Sequence, residues 1–142
     1  MCIRDRYWPD ADGGPDPQGW YRTGDVAYED DEGDLVLVDR RKELVIVSGF
    51  NVYPREVEDV IAAHPDVAAV AVVGVPHPYT GEAVKAFVVP ADGASITAEQ
   101  ITAHVAARLA RFKCPTIVVV VDELPRTSTG KIAKGLLREA GQ

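Results

Sequence analysis

Apolar positions along this chain fall into short runs whose spacing changes from one segment to the next. Residues 35–38 and 44–47 are compact, β-branched runs flanking Asp39-Arg40-Arg41-Lys42-Glu43, with a turn-forming Asp31-Glu32-Gly33-Asp34 before them. This pattern predicts two strands joined by a charged connector. From Pro54 the spacing becomes helical: Val57, Val60 and Ile61 share a face, and Glu56, Glu58 and Asp59 sit near the positive end of the helix dipole. His64-Pro65 ends that helix. Residues 67–75 and 83–89 are too rich in valine to prefer a helix and read as buried strands, separated by a loop over Pro76-His77-Pro78-Tyr79-Thr80-Gly81. Thr97-Ala98-Glu99-Gln100 fits a capping box, and Ile101, Val105 and Leu109 continue one helical face behind it. Residues 117–121 form a last buried strand, and Ile132, Leu136 and Leu137 give a short final helix its apolar stripe. The order β-β-α-β-β-α-β-α has no repeated β-α-β period, so the expected class is α+β, a small mixed sheet with helices packed on it.

Ahead of these elements, residues 7–20 hold Pro9, Gly13, Gly14, Pro15, Pro17 and Gly19 among aspartates, a composition that reads as loop. With 142 residues and 46% hydrophobic content, the chain is one ordinary domain or a small domain with an appended piece. Every apolar run is interrupted well short of the roughly 20 residues that a membrane-spanning helix needs. The net charge of −7 is uneven, with −8 on residues 1–39 and +1 on the rest. No basic stripe is left for a nucleic-acid backbone, and the cations near the C-terminus, Arg126, Lys131, Lys134 and Arg138, suit a small anion better. Cys2 and Cys114 make no disulfide or metal pattern, and His64, His77 and His104 have no partners spaced for zinc, so no metal site is expected. The expected setting is reducing and cytoplasmic, since Met1-Cys2-Ile3-Arg4-Asp5-Arg6 is too short and too charged for a secretory signal.

Candidate chemistry must come from the connectors. The run Thr127-Ser128-Thr129-Gly130 precedes Lys131 and the predicted final helix, so backbone amides and an ammonium can converge on an anion. A cation in the first turn of a helix opposes the dipole by about 0.3 to 1 kcal/mol, which is odd unless a negative ligand visits. An exposed lysine with no such role stays equally open on these grounds. A nucleotide-binding P-loop is excluded, because Pro125 stands where that motif needs Gly and Ile132 where it needs Ser or Thr. In Tyr21-Arg22-Thr23-Gly24-Asp25 a carboxylate can accept two hydrogen bonds from a ribose diol, although most such aspartates cap turns. The acidic cluster that follows, residues 29–34, lacks the first ligand of a calcium loop and reads as a solvated hairpin. Ser48-Gly49-Phe50-Asn51 allows close backbone approach by a ligand, with a plain turn as the simpler reading.

In order along the chain, Gly19-Trp20-Tyr21-Arg22-Thr23-Gly24-Asp25, then Asp39-Arg40-Arg41-Lys42-Glu43 with Ser48-Gly49-Phe50-Asn51-Val52-Tyr53-Pro54, then Pro125-Arg126-Thr127-Ser128-Thr129-Gly130-Lys131-Ile132 resemble three motifs of the ANL superfamily of adenylate-forming enzymes. The resemblance runs from about Tyr7 to Leu137 and is nearest to fatty-acid–CoA and other acyl-CoA ligases. It implies a two-step reaction: a carboxylic acid attacks ATP, carried with Mg2+, to give an acyl-adenylate, and the thiol of coenzyme A then takes the acyl group. By position, Asp25 resembles the aspartate that holds the ribose hydroxyls and Arg40 an arginine that contacts the nucleotide. Lys131 resembles the lysine that bridges carboxylate and phosphate, offsetting charge that grows in the transition state. Lys42 resembles the hinge about which the C-terminal domain swings between the two steps. Ser48, Gly49 and Phe50 resemble the wall of the pantetheine tunnel, and Lys113 a basic residue near the CoA nucleotide.

Ile46 departs from luciferases and coumarate-type ligases, which carry a second lysine there, and Arg6 stands where a glycine is expected. The resemblance therefore divides the chain into a leader foreign to the family (1–6), the tail of the large N-terminal AMP-binding domain (7–40) and the mobile C-terminal domain (41–142). The phosphate loop and the adenine and acyl pockets fall outside the sequence, so the chain alone is expected to be inactive. Two alternatives are an adenylation domain that loads a carrier protein and a noncatalytic module that binds a partner.

Overall fold

The computed structural model describes residues 16–139 in full, together with the backbone of Cys2–Ile3 and Arg6–Tyr7. The expectation of a foreign leader at 1–6, and residues 8–15 of the expected loop, lie outside the residues described in full. The chain forms two compact units, Met1–Arg41 and Lys42–Gln142.

In the first unit, β1 (Cys2–Ile3) pairs antiparallel with β2 (Arg6–Tyr7), and β3 (Asp25–Glu29) pairs antiparallel with β4 (Leu35–Arg40). The acidic cluster is the turn of the β3–β4 hairpin: the Asp30 carboxylate accepts from the amides of Glu32 and Asp34 at 3.0 and 2.9 Å, and Gly33 takes φ +86°. β3 is missing from the sequence-derived order because its residues are mostly exposed and carry no apolar period; ladder hydrogen bonds, not burial, define it. The strands at 35–38 and 44–47 flank the charged connector as expected, but they belong to different sheets.

Among the described residues the second unit holds a five-stranded sheet and three α-helices: β5 (Val45–Val47), β6 (Phe50–Val52), α1 (Pro54–Ala62), β7 (Val67–His77), β8 (Gly81–Pro90), α2 (Ala98–Ala106), β9 (Ile117–Val120) and α3 (Lys134–Glu139). β8 is central. β7 runs antiparallel along one of its edges; the other edge is shared by β5, at Gly81, and by the parallel β9, from Lys85 to Val88. A parallel partner needs a crossover, and the segment containing α2 supplies it. Side chains alternate across the sheet. Val70, Val72, Val84, Ala86 and Val88 face Val57 and Ile61 of α1 and Ile101 and Val105 of α2. Ala71, Val73, Val75, Ala83 and Phe87 face the opposite way, under Leu124 and Leu137. Burial on both faces is why β7 and β8 read as continuous valine runs rather than alternating ones.

The α+β expectation matches this architecture, and several local expectations change. The loop at 76–81 contracts to 78–80, because β7 continues to His77 and pairs it with Gly81 at the start of β8. The strand at 117–121 is not fully buried: Ile117 and Val120 are 42% and 41% exposed, because β9 lies at the sheet edge. The capping box of α2 forms, with the Thr97 amide on Gln100 Oε1 at 2.8 Å and the Gln100 amide on Thr97 Oγ1 at 3.3 Å. Leu109 lies beyond the end of α2 yet still packs on the core. The final helix begins only at Lys134, so Ile132 precedes it, and of the expected stripe only Leu137 is buried within the helix.

Candidate functional site

In the first unit the β3–β4 register places Asp25 opposite Arg40, and Arg40 Nε lies 3.6 Å from Asp25 Oδ1. The Asp25 amide donates to Thr23 Oγ1 at 3.2 Å and the Arg41 amide to the Gly24 carbonyl at 2.8 Å, which fixes the entry to the hairpin. The structure thus brings together the two residues expected at the nucleotide: a carboxylate with two acceptor oxygens beside an exposed guanidinium fork.

In the second unit, Ser48 and Gly49 take φ +51° and +84°. Two successive left-handed residues are what a two-residue β-hairpin demands, so this turn between β5 and β6 specifies Gly49 by geometry. The Ser48 amide donates to the Thr80 carbonyl at 2.8 Å, tying the turn to the β7–β8 connector. Exposed Phe50 stacks on Phe112, with ring centroids 4.7 Å apart and 24° between planes. Lys113, the next residue, places Nζ 5.9 Å from the Phe112 ring centre and 2.7 Å from both carboxylate oxygens of Glu56. Phe50 and Lys113 are thus brought together through Phe112, with Ser48 and Gly49 in the turn before Phe50, and the Lys113 ammonium is held by Glu56. Sequence reasoning gave Glu56 only a helix-dipole role, and no local signal points to a partner 57 residues away.

Residues 126–132 fold back on themselves. Arg126 and Ile132 form a bridge, the Thr127 amide donates to the Lys131 carbonyl at 2.7 Å, and the Gly130 amide donates to the Thr127 carbonyl at 2.9 Å. Arg126 Nη1 donates to the Gly130 carbonyl at 2.9 Å, and Thr127 and Thr129 hydroxyls pair with each other at 2.9 Å. Gly130, at φ +82°, makes the tight return possible. The expected amide cradle at a helix start does not form, because the amides of Thr127 and Gly130 are used within the hairpin. Lys131 lies outside any helix, exposed, and its ammonium has no hydrogen-bond or ion-pair partner among the described residues.

The cation in the first turn of the final helix is Lys134. Its Nζ lies 2.7 Å from Glu43 Oε2 and 2.9 Å from Glu58 Oε1, and the three side chains are only 18%, 28% and 19% exposed. Glu58 Oε1 also accepts the Val72 amide at 2.7 Å, on the edge of β7 away from β8. Burial pushes the Glu58 carboxyl above its ordinary pKa, against the hydrogen bond and charge of Lys134 and the Val72 amide. Burial also works against the Lys134 ammonium, but the hydrogen bonds and charges of Glu43 and Glu58 outweigh it and hold its pKa above the ordinary lysine value. Arg138 Nη2 reaches the Lys42 carbonyl through a long, 3.4 Å contact. This cluster was missed: Glu43 read as part of a charged connector and Glu58 as a dipole residue.

The histidines have structural explanations: His104 Nε2 meets the Val60 carbonyl at 2.9 Å, His64 packs against the His104 ring, and His77 Nδ1 meets the Thr80 hydroxyl at 2.8 Å. Burial pushes the Cys114 thiol up, away from nucleophilic character. Among the described residues no group of three or more His, Cys, Asp or Glu side chains is placed to hold a metal ion, and no helix is long and apolar enough to cross a membrane. An open cleft of about 350 Å³ lies at the foot of the 126–132 hairpin, against Leu124, Pro125 and Arg126, and Lys131 does not line it.

The two groups of the second unit belong to opposite faces of the sheet. Phe112 packs with the α1 and α2 core, whereas Ile132 packs with Leu124 and Leu137 on the other side. Residues 56–131 match the AMP-binding enzyme C-terminal domain family. Over 135 residues the chain is 48% identical to a long-chain-fatty-acid–CoA ligase of Yersinia pestis, covering 94% of this chain and 24% of that protein. It is 46% identical over 134 residues to a feruloyl-CoA synthase of an Amycolatopsis species, covering 93% and 27%. The crystal structure of ATP-bound MatB from Rhodopseudomonas palustris superposes with a TM-score of 0.87 at 41% identity, covering 95% of this chain and 27% of that one. The chain spans about a quarter of the length of the curated relatives it matches.

Proposed function

Because the chain belongs to the AMP-binding enzyme C-terminal domain family, we propose that it serves as the C-terminal part of an AMP-forming acid–CoA ligase. In that reaction a carboxylate oxygen attacks the α-phosphate of ATP, pyrophosphate leaves, and the thiol of CoA then displaces AMP from the acyl-adenylate. Mg2+ arrives with ATP as part of the substrate. The acid is a fatty acid or another acyl acid, since a fatty-acid–CoA ligase and a feruloyl-CoA synthase resemble the chain almost equally.

The observation that carries this reading is the opposition of the two groups in the second unit. The Lys131 hairpin and the Phe50–Phe112–Lys113 group pack on opposite faces of one sheet, so a single reacting centre meets them in turn and not together. A two-step ligase needs that alternation. Lys131 neutralises the carboxylate and α-phosphate during adenylation, and its uncommitted ammonium suits that task. The domain then turns about Lys42, the first residue of the second unit, and presents Ser48, Gly49 and Phe50 to the pantetheine arm with Lys113 towards the CoA phosphates. Lys113 exchanges Glu56 for phosphate as CoA binds. Asp25 and Arg40 hold the ribose and the nucleotide.

The test is a pair of half-reactions in the longer ligase that carries this chain as its C-terminal part. Lys131→Ala is expected to lower adenylation, read as pyrophosphate release, by at least about a hundredfold, while thioester formation from supplied acyl-adenylate stays within a few-fold. Equal loss in both steps would contradict the assignment. The 142-residue chain alone is expected to release no pyrophosphate from ATP and a fatty acid.

A further inference from the structure

Lys134 draws together three parts of the second unit that are far apart in sequence. It is the first residue of α3 and follows Lys131 by one short stretch of backbone, through Ile132 and Ala133. Its ammonium reaches Glu43, immediately after Lys42, and Glu58 on α1, whose carboxylate also caps the Val72 amide of β7. Arg138, one turn further along α3, reaches the Lys42 carbonyl itself. A cation at a helix start is opposed by the dipole, so α3 alone gives no reason for lysine there; the two converging carboxylates do.

Around that contact the chain leading to Lys131 is anchored by apolar packing, with Leu124 just before the hairpin and Leu137 of α3 buried in the core, but by few polar contacts. Arg126 and residues 127–131 are exposed, and the hairpin is held by its own turn hydrogen bonds, the Arg126–Gly130 contact and Ile132 beneath it. The Ala133 amide donates to the Pro125 carbonyl at 2.8 Å, which closes the base of the hairpin but fixes it to nothing beyond itself. The polar link from that base to the sheet edge and to residues 42–43 runs through Lys134, with Arg138 as a weaker second tie.

We propose that Lys134 is a positioning residue for the adenylation step: through Glu43 and Glu58 it locks the Lys131 hairpin to the residues at the start of the second unit, so that hairpin and residue 42 move as one body. The proposal rests on the assignment of Lys131 to adenylation and of Lys42 to the pivot. Its physical content is that rotation about residue 42 sets the position of the Lys131 ammonium without slack. An ammonium that must sit between a carboxylate and a phosphate tolerates little slack, because a displacement of about 1 Å costs on the order of a hundredfold in rate. The thioester step, which uses the opposite face, does not depend on the lock.

The experiment compares Lys134→Met, Lys134→Arg, Glu43→Gln and Lys131→Ala in the longer ligase, with adenylation and thioester formation from supplied acyl-adenylate measured separately. Lys134→Met is expected to lower kcat for adenylation by roughly 10- to 100-fold, with KM for ATP nearly unchanged and the thioester step within about threefold. Lys134→Arg keeps a cation able to reach both carboxylates and is expected to restore adenylation to within about threefold. Glu43→Gln, which leaves the Lys134–Glu58 contact in place, carries the same test if Lys134→Met fails to fold, and is expected to slow adenylation selectively by a smaller factor. If Lys131→Ala suppresses adenylation but the Lys134 and Glu43 variants slow both half-reactions equally, or neither, the positioning role is overturned. If Lys131→Ala itself leaves adenylation intact, the underlying assignment has failed, and that result is distinguishable from the first.

Discussion

Two lysines three positions apart are expected to behave in opposite ways when the 142-residue chain is melted. In Lys134→Met the side chain keeps its length, but two charge-assisted hydrogen bonds disappear and Glu43 and Glu58 are left facing each other. Removing one partner of a fully buried ion pair costs about 3 to 5 kcal/mol. The three side chains retain 18 to 28% of their exposure, so water recovers part of that. Losing a cation from the start of α3 gives back about 0.3 to 1 kcal/mol of dipole energy. The net expectation is about 2 kcal/mol. For a unit of about 100 residues each kcal/mol moves Tm by about 4 to 8 °C, so the drop is roughly 10 °C. Lys131→Met removes an exposed side chain with no partner among the described residues and is expected to stay within about 0.5 kcal/mol. The sign with pH follows from Glu58. Its pKa is already raised by burial, and without Lys134 it rises further, so the folded variant holds a proton that the unfolded chain releases. Stability of the variant therefore increases as pH falls towards the ordinary carboxylate range, and the penalty is greatest at a neutral pH and shrinks at a mildly acidic one. Thermal melts followed by circular dichroism at both pH values test this. A Lys134→Met chain that melts with the parent at neutral pH, or a penalty that is flat with pH, would refute the reasoning.

Gly74→Ala is expected to destabilise the chain by about 1 to 3 kcal/mol in urea titration, because the added Cβ would lie 3.0 Å from Glu82 Oε1 and from both Val45 methyls, and Glu82 is held by the Ile46 amide at 2.6 Å. In the proposed longer ligase, Lys113→Ala is expected to raise KM for CoA by about five- to twentyfold with little change in adenylation, as for loss of one phosphate-bound cation; an unchanged KM would refute the proposed role of Lys113 at CoA. The raised pKa of Lys134 means that its contribution is complete below the ordinary lysine pKa and is lost as pH rises through the raised value. Melts above about pH 10.5 should therefore lose Tm more steeply in the parent than in Lys134→Met.

The elements that were legible in the sequence are those whose signal is local. α1 announces itself by Pro54 and the spacing of Val57 and Ile61, α2 by a capping box closed within four residues, and β7 and β8 by valine runs that only a sheet covered on both sides tolerates. The same holds for Gly49, whose positive φ belongs to a turn spelled out by its neighbours, whereas Gly130, expected in an amide cradle at a helix start, proves to be the turn of a hairpin. The motifs that resemble the family are likewise short local strings. By contrast, β3 and β6 gave little periodic signal, because one is largely exposed and the other only three residues long.

Local signals stop short at the last helix: Lys131, expected in its first turn beside a negative ligand, lies outside any helix, and the cation at the helix start is Lys134, held by Glu43 and Glu58. Nothing local relates Lys134 to Glu43, which lies 91 residues earlier, or Lys113 to Glu56, 57 residues earlier. By itself the sequence determined α1, α2, the central strands, the turn at Ser48-Gly49 and the family motifs, because each depends on residues within a turn or two of one another. Only the tertiary structure decided which face of the sheet each motif occupies and which charges meet. Those outcomes depend on how β8 takes β7, β5 and β9 on its two edges, and strand pairing across long loops is set by the packing of the whole core rather than by any one segment.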